Sequence, residues 1–225
     1  MFFALLPKRA MLSDSNEELI NCYRIIRNRP NKLLVLLSSM PNSMQDYYRV
    51  RATTPDTRVG RAARMLYLTT LSFNGIFRVN RNGAFNVPYG HRTHLKPFQP
   101  EKIKIANQAL KSCEIHHLDF EEALLKARKG DFIYLDPPYT VAHDNNGFRK
   151  YNAKIFSWED QARLAEAVHR LNRKGCHIVM SNASHESIKE MYKSFTQAVV
   201  TRSSAIAASP VYRRYIEELI ITNIV

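Results

Sequence analysis

Residues 136–139 read Asp-Pro-Pro-Tyr and follow the short apolar run Phe132 to Leu135. Proline fixes φ and removes an N–H, so two in succession make a rigid way of leaving a sheet. A turn alone would account for them. The same rigidity can also aim a carboxylate, backbone carbonyls and an aromatic face at one substrate. Those groups suit an exocyclic amine on a nucleobase, whose nitrogen lone pair is delocalised into the ring. The Asp136 carboxylate and a nearby backbone carbonyl can take hydrogen bonds from the amine, draw its nitrogen toward sp³ geometry and free the lone pair for attack. Pro137 and Pro138 hold the acceptors in place before reaction, which is electrostatic preorganisation. Tyr139 offers a ring on which an extruded base can stack. Neither a metal nor a covalent intermediate is required if the other reactant is a good electrophile held in line.

Such a turn needs a sheet behind it, and the C-terminal half alternates strand and helix patterns. Strands are expected at 113–118, 132–136, 176–181, 197–202 and 217–224, and helices at 120–129, 157–173 and 184–194. Ser157 is the expected N-cap of the second helix, with Asp160 three residues on and Gly175 at its end. This alternation points to an α/β sheet with helices on both faces and strands buried on both sides. Nearer the start, Ala10 to Ser13 reads as a strand, and 14–27 and 31–40 as helices. Residues 42–100 break the alternation, with a helical stretch at 58–72 and otherwise turn formers, aromatics and basic residues. Ligands of such sheets sit at the carboxyl ends of the strands. Asp14, Asp119 and Asp136 all fall at expected strand ends, although Asp14 could equally cap the helix that follows it.

The net charge is +13, and the region from Arg49 to Lys104 holds 11 Lys or Arg against Asp56 and Glu101. A solvated face could carry that excess, but its concentration favours a polyanion, nucleic acid first. With 45% hydrophobic and 24% charged residues in 225, the chain has ordinary globular composition. Cys22, Cys113 and Cys176 show no metal-ligand spacing, so no metal is expected, and their sparseness fits the cytoplasm. The opening apolar run, Phe2 to Leu6, is too short for a signal peptide, and no segment is long and apolar enough to span a bilayer. There is no sign of oligomerisation, and a monomer is expected.

The motifs together resemble the DNA adenine methylase (Dam) family. Asp-Pro-Pro-Tyr is a hallmark of amino-methyltransferases that use S-adenosylmethionine. FNGIFRVNRNGAFNVPYG at 73–90 resembles the family's DNA-recognition segment, and LSDSNEELINCY at 12–23 its cofactor-side segment. Tyr47-Tyr48, Asp119-Phe120, the helix that begins SWEDQ at 157, SNAS at 181–184 and the ending EELIITN follow in the family's order. The resemblance implies a Rossmann-like methyltransferase sheet with an inserted, mainly helical DNA-recognition subdomain. It divides the chain into 1–41 and 113–225, both of the methyltransferase domain, and 42–112, the recognition subdomain. It implies that Asp136, Pro137, Pro138 and Tyr139 are catalytic, and that Asp14, Asp119, Phe120 and Asp136 hold S-adenosylmethionine. Arg78 would read guanine in a GATC-type site of double-stranded DNA, with Asn74, Asn80 and Arg81 beside it. His91 stands where relatives often carry a basic phosphate contact.

One family feature has no counterpart. A glycine-rich segment on a central strand should come immediately before the residues matching Phe2 to Leu5, yet no Gly-x-Gly occurs in the 225 residues. The first central strand, between those ending in Asp14 and Asp136, is therefore expected to be missing. Two functions stay open: a DNA adenine-N6 methyltransferase, or a catalytically impaired remnant that binds DNA.

Overall fold

The computed structural model describes residues 1–80, 82–94, 96–140, 156–203 and 215–224. They form two compact units, Met1–Asp119 and Phe120–Val225.

The first unit is helical around a small sheet. α1 (Phe2–Leu5) precedes β1 (Ala10–Asp14), and four helices follow: α2 (Glu17–Asn28), α3 (Pro30–Ser38), α4 (Met44–Ala52) and α5 (Arg58–Leu71). After a hairpin-like segment come α6 (Pro100–Leu110) and β2 (Cys113–His117). β1 and β2 run parallel, with Ala10 opposite Cys113 and Asp14 opposite His117. α2 begins at Asn16, whose side chain accepts from the N–H groups of Glu18 and Leu19. Ile20, Ile25 and Ile26 of α2 pack with Leu33 and Leu37, Tyr47, Ala62 to Leu71 and Ile103, Leu110 in one core. α4 and α6 lie where no helix was expected. Ser43 caps α4 by accepting from the Asp46 N–H, and Pro100 sits in the first turn of α6.

The second unit holds α7 (Phe120–Leu125), β3 (Phe132–Leu135), α8 (Trp158–Lys174), β4 (His177–Ala183), α9 (Glu186–Met191), β5 (Thr196–Ser203) and β6 (Tyr215–Thr222). Its sheet runs β3-β4-β6-β5. β3 and β4 are parallel, and the other two pairs antiparallel. α8 starts on a reciprocal Ser157–Asp160 capping box and stops at Gly175, whose φ of 81° suits glycine. Its Leu164, Val168 and Leu171 recur at helical spacing and bury against Ile178 and Met180 of β4 and Leu219 and Ile221 of β6.

The α/β class stands, but the strands divide between two sheets, and the expectation of strands buried on both sides fails for β3. Phe132 is 49% and Tyr134 39% exposed. β3 is an edge strand, with β4 as its partner among the described residues. β1 likewise has one described partner, β2. Phe132 and Tyr134 are two residues apart, so it is one face of β3 that stays open.

Candidate active site

The sequence places the Asp-Pro-Pro-Tyr turn at the carboxyl end of β3, and the parallel register decides what stands next to it. Leu135 pairs with Met180, so the next residues along, Asp136 and Ser181, are neighbours. Ser181 Oγ donates a 2.7 Å hydrogen bond to Asp136 Oδ1. One carboxylate oxygen is thus tied to β4. The other receives no hydrogen bond from the described residues.

Behind the turn lies a buried polar network. Gln161 and Asn182 are both 0% exposed. Their amides exchange hydrogen bonds of 3.4 and 3.3 Å, and Gln161 Nε2 also donates to the Thr140 carbonyl at 3.2 Å. Thr140, 4% exposed, donates its hydroxyl to the Phe156 carbonyl at 2.7 Å. The residue after Tyr139 is therefore fixed from α8 and β4. Buried polar groups satisfied in this way rigidify what they hold. Sequence reasoning gave Ser181, Asn182 and Gln161 no role. Gln161 did carry a signal: a polar residue one helical step ahead of Leu164, Ala165 and Val168 on the face of α8 that is otherwise apolar.

The first sheet carries a second acidic strand end. Asp14 ends β1, and its Oδ1 accepts the Asn16 N–H at 2.7 Å. Asn16, not Asp14, caps α2. Asp14 Oδ2 receives no hydrogen bond from the described residues. Asp119 lies two residues beyond His117, Asp14's partner in the register. The loop after β1 is tied to β2 by a 3.0 Å contact between His117 Nε2 and the Ser15 carbonyl. Asp14 and Asp119 thus share one sheet end, while Asp136 to Tyr139 belong to the other unit. Phe120 opens that second unit, with its ring 5.6 Å from Phe156 and the Arg163 guanidinium 4.9 Å above it. Arg163 and Arg170 both hydrogen-bond Glu121, and Arg170 first, then Arg163, hold that carboxyl below its ordinary pKa.

Residues 72–90 form a clasp on α5. Phe73 N–H donates to the Pro88 carbonyl at 2.9 Å and Gly90 N–H to the Leu71 carbonyl at 2.8 Å. A narrower ladder follows, with Asn86 N–H to Arg78 and Asn80 N–H to Ala84 at 3.1 and 2.8 Å. Asn80 Oδ1 accepts from the N–H groups of Asn82 and Ala84, both at 3.0 Å, so this side chain shapes the tip. Asn74, exposed, adopts φ 53°, and Gly75 follows at φ 67°. Arg78 is exposed, and its Nε donates to Asn86 Oδ1 at 2.8 Å. Its two terminal nitrogens have no partner among the described residues, a fork matching the O6 and N7 acceptors of guanine. Asn86 is a partner that the sequence reading passed over. Arg81 lies outside the described residues. His91, at φ 54°, packs its ring 5.1 Å from Tyr89.

Two tyrosine hydroxyls, those of Tyr47 and Tyr89, tie the clasp to α4 and the chain just before it, and a third, that of Tyr67, ties α5 to the chain before α4. Tyr47 donates to the Val87 carbonyl at 3.0 Å, Tyr67 to the Pro41 carbonyl at 2.7 Å and Tyr89 to Asn42 Oδ1 at 2.6 Å. Burial pushes the hydroxyls of Tyr47 and Tyr67 up to about 12. All three cysteines are buried and free, and burial raises Cys22 to about 12, with Glu18 adding to it. They have the character of core side chains. Among the described residues, no group of His, Cys, Asp or Glu could hold a metal ion, and no helix is long and apolar enough to cross a membrane.

The family model of the D12 class N6 adenine-specific DNA methyltransferases matches residues 1–206. The chain belongs to this family. Among its relatives is the type II methyltransferase M1.LlaDCHI of Lactococcus lactis subsp. cremoris, 37% identical over 233 residues that cover 99% of this chain and 82% of the relative. The type II methyltransferase M.MjaIII of Methanocaldococcus jannaschii is 30% identical, covering 96% and 80%. The DNA adenine methylase of Salmonella typhimurium is 29% identical, covering 94% and 78%. As a D12-class enzyme the chain is an adenine-specific DNA methyltransferase, and the Asp-Pro-Pro-Tyr turn is its candidate active site.

Proposed function

We propose that this enzyme methylates the N6 amine of an adenine flipped out of double-stranded DNA, within a GATC-type site and with S-adenosylmethionine as donor. The observation that carries the reading is the Ser181–Asp136 hydrogen bond, which supports a carboxylate with one oxygen fixed and one open at the end of β3. The open oxygen and the Pro137 carbonyl accept from the two N–H groups of the amine. Pro138 keeps that pair of acceptors rigid, and Tyr139 stacks on the base. As nitrogen forms its bond to the methyl carbon it must lose a proton, and Asp136 holds that proton until solvent takes it.

S-adenosylmethionine, when bound, would supply an electrophilic methyl on a sulfonium, whose sulfur would leave as a neutral thioether keeping the electron pair of the broken carbon–sulfur bond. Asp14 fits its ribose, because a carboxylate with one oxygen held by Asn16 and one open suits a vicinal diol. Asp119, Phe120 and Asp136 complete the proposed cofactor set. The residues at 42–112 are the proposed recognition part. In it Arg78, held by Asn86, reads guanine, Asn80 supports the tip, and Asn74 and Arg81 contact DNA beside it.

One observation favours a second reading, a DNA-binding relative that holds the cofactor weakly. β1 and β3 each keep an open edge among the described residues, and no Gly-x-Gly is present to let backbone approach the donor.

Transfer of labelled methyl to a GATC duplex tests the first reading. Asp136→Ala should lower kcat by at least about a hundredfold, the scale of losing a preorganised electrostatic group. Arg78→Ala should lose about 1–3 kcal/mol of discrimination at the guanine. Absence of both transfer and S-adenosylmethionine binding in the wild-type chain would establish the second reading instead.

A further inference from the structure

The packing of α2 against α5 leaves a cavity of about 420 Å³ in the first unit. Four arginines line it: Arg24 and Arg29 on the α2 side, Arg58 and Arg61 on α5. A single lining carboxylate, Glu17, faces them. Arg61 is shared between Glu17 and Glu18 at 3.3 Å each. Arg24 is held by a carbonyl instead, giving Nε and Nη2 to Ile115 at 3.2 and 2.8 Å. That contact orients the guanidinium without cancelling its charge. The side chains of Arg29 and Arg58 are exposed and have no hydrogen bond or ion pair among the described residues. Asn21, 6% exposed, donates to the Arg58 carbonyl at 2.9 Å and pins the start of α5 to α2.

Converging cations repel one another, so the arrangement is stabilised by an anion that enters it. The planar guanidinium fork matches phosphate oxygens in particular. The position says which phosphate. The cavity lies at the N-terminal end of α5, and Phe77, Val79 and Phe85 of the clasp that carries Arg78 fold back along α5 to share a small pocket with Arg61, which also lines the cavity. We infer that this arginine cavity is a second DNA contact, gripping a backbone phosphate of the duplex whose guanine Arg78 reads. The inference rests on the proposed role of Arg78.

The test uses the full chain carrying Arg29→Gln and Arg58→Gln together. Both side chains are exposed and unpartnered among the described residues, and an unchanged melting temperature checks that the fold is kept. Binding is measured on a GATC duplex of about thirty base pairs across a range of salt. The double variant should bind about five- to tenfold more weakly than wild type, and its salt slope should fall by about one, for the one phosphate no longer neutralised. Equal affinity and slope for variant and wild type would overturn the inference. So would inorganic phosphate raising the melting temperature of wild type but not of the variant, with duplex affinity and slope the same in both, because the cavity would then serve a free phosphate. Failure of the methyltransferase reading looks different: no methyl reaches the duplex from the wild-type chain.

Discussion

In the proposed reaction Asp136 presents one oxygen to an amine, and a free carboxylate would rotate between two equivalent orientations. The 2.7 Å bond from Ser181 removes that freedom. A hydrogen bond to a charged group is worth about 1.5–3 kcal/mol. If its main effect is on how the open oxygen meets the reacting nitrogen, its loss appears in kcat. Ser181→Ala should therefore lower kcat about tenfold or more while leaving KM for DNA close to wild type, and Ser181→Thr, which keeps the hydroxyl, should recover most of the rate. A drop in melting temperature together with a matching rise in KM, with no rescue by threonine, would reduce Ser181 to scaffold. The carboxylate was legible in the sequence because aspartate, two prolines and tyrosine are consecutive. Its serine partner lies 45 residues away, and only the parallel register of β3 and β4 brings the two together. Asn86 escaped for a related reason: it reaches Arg78 across a turn, and nothing in its neighbours marks it.

Local rules served the elements unequally. The limits of α8 follow from Ser157, Asp160 and Gly175, which satisfy orphaned helix-end groups wherever the helix is placed. α4 and α6 were harder to read, because each presents few buried residues. Tyr47 is the buried residue of α4, and Ile103 and Leu110 are those of α6. Such helices depend on tertiary packing more than on intrinsic propensity. The 72–90 clasp was recognisable as turn sequence, but its attachment was not. Gly90 passes so close to the end of α5 that a Cβ there would lie 2.6 Å from the Ser72 carbonyl oxygen. That neighbour is backbone and cannot swing aside. Gly90→Ala should cost about 1–3 kcal/mol, the range for overpacking, and should prise the clasp from α5. On the role proposed for Arg78, which rides on the clasp, discrimination at the guanine should fall as well. A variant that keeps both wild-type stability and wild-type site preference would show that the close approach is not needed.

At the scale of the molecule, each of the two units has a sheet and a hydrophobic core of its own. In the first unit, Tyr47 and Tyr67 lie at 0% exposure, with rings 6.3 Å apart and stacked. Their hydroxyls join α4 and α5 to the backbone at Val87 and Pro41. Burial raises both to about 12, whereas a tyrosine in the unfolded chain ionises near 10. At alkaline pH the native state therefore keeps protons that the unfolded state releases. Stability rises with pH only where the unfolded state binds more protons, so here it must fall. The contribution is complete below the unfolded value near 10 and is lost as pH climbs through about 12. Chemical denaturation across that window, followed by circular dichroism together with tyrosinate absorbance, should show stability declining as the two hydroxyls resist ionisation. Tyr47→Phe removes one of the titrating groups and should flatten the decline. It should also lower the starting stability by about 1 kcal/mol for the lost bond to Val87. Ionisation of every tyrosine near 10 with the fold intact would mean that these hydroxyls reach solvent, and Tyr47 would have to be given up as an anchor of the 72–90 clasp.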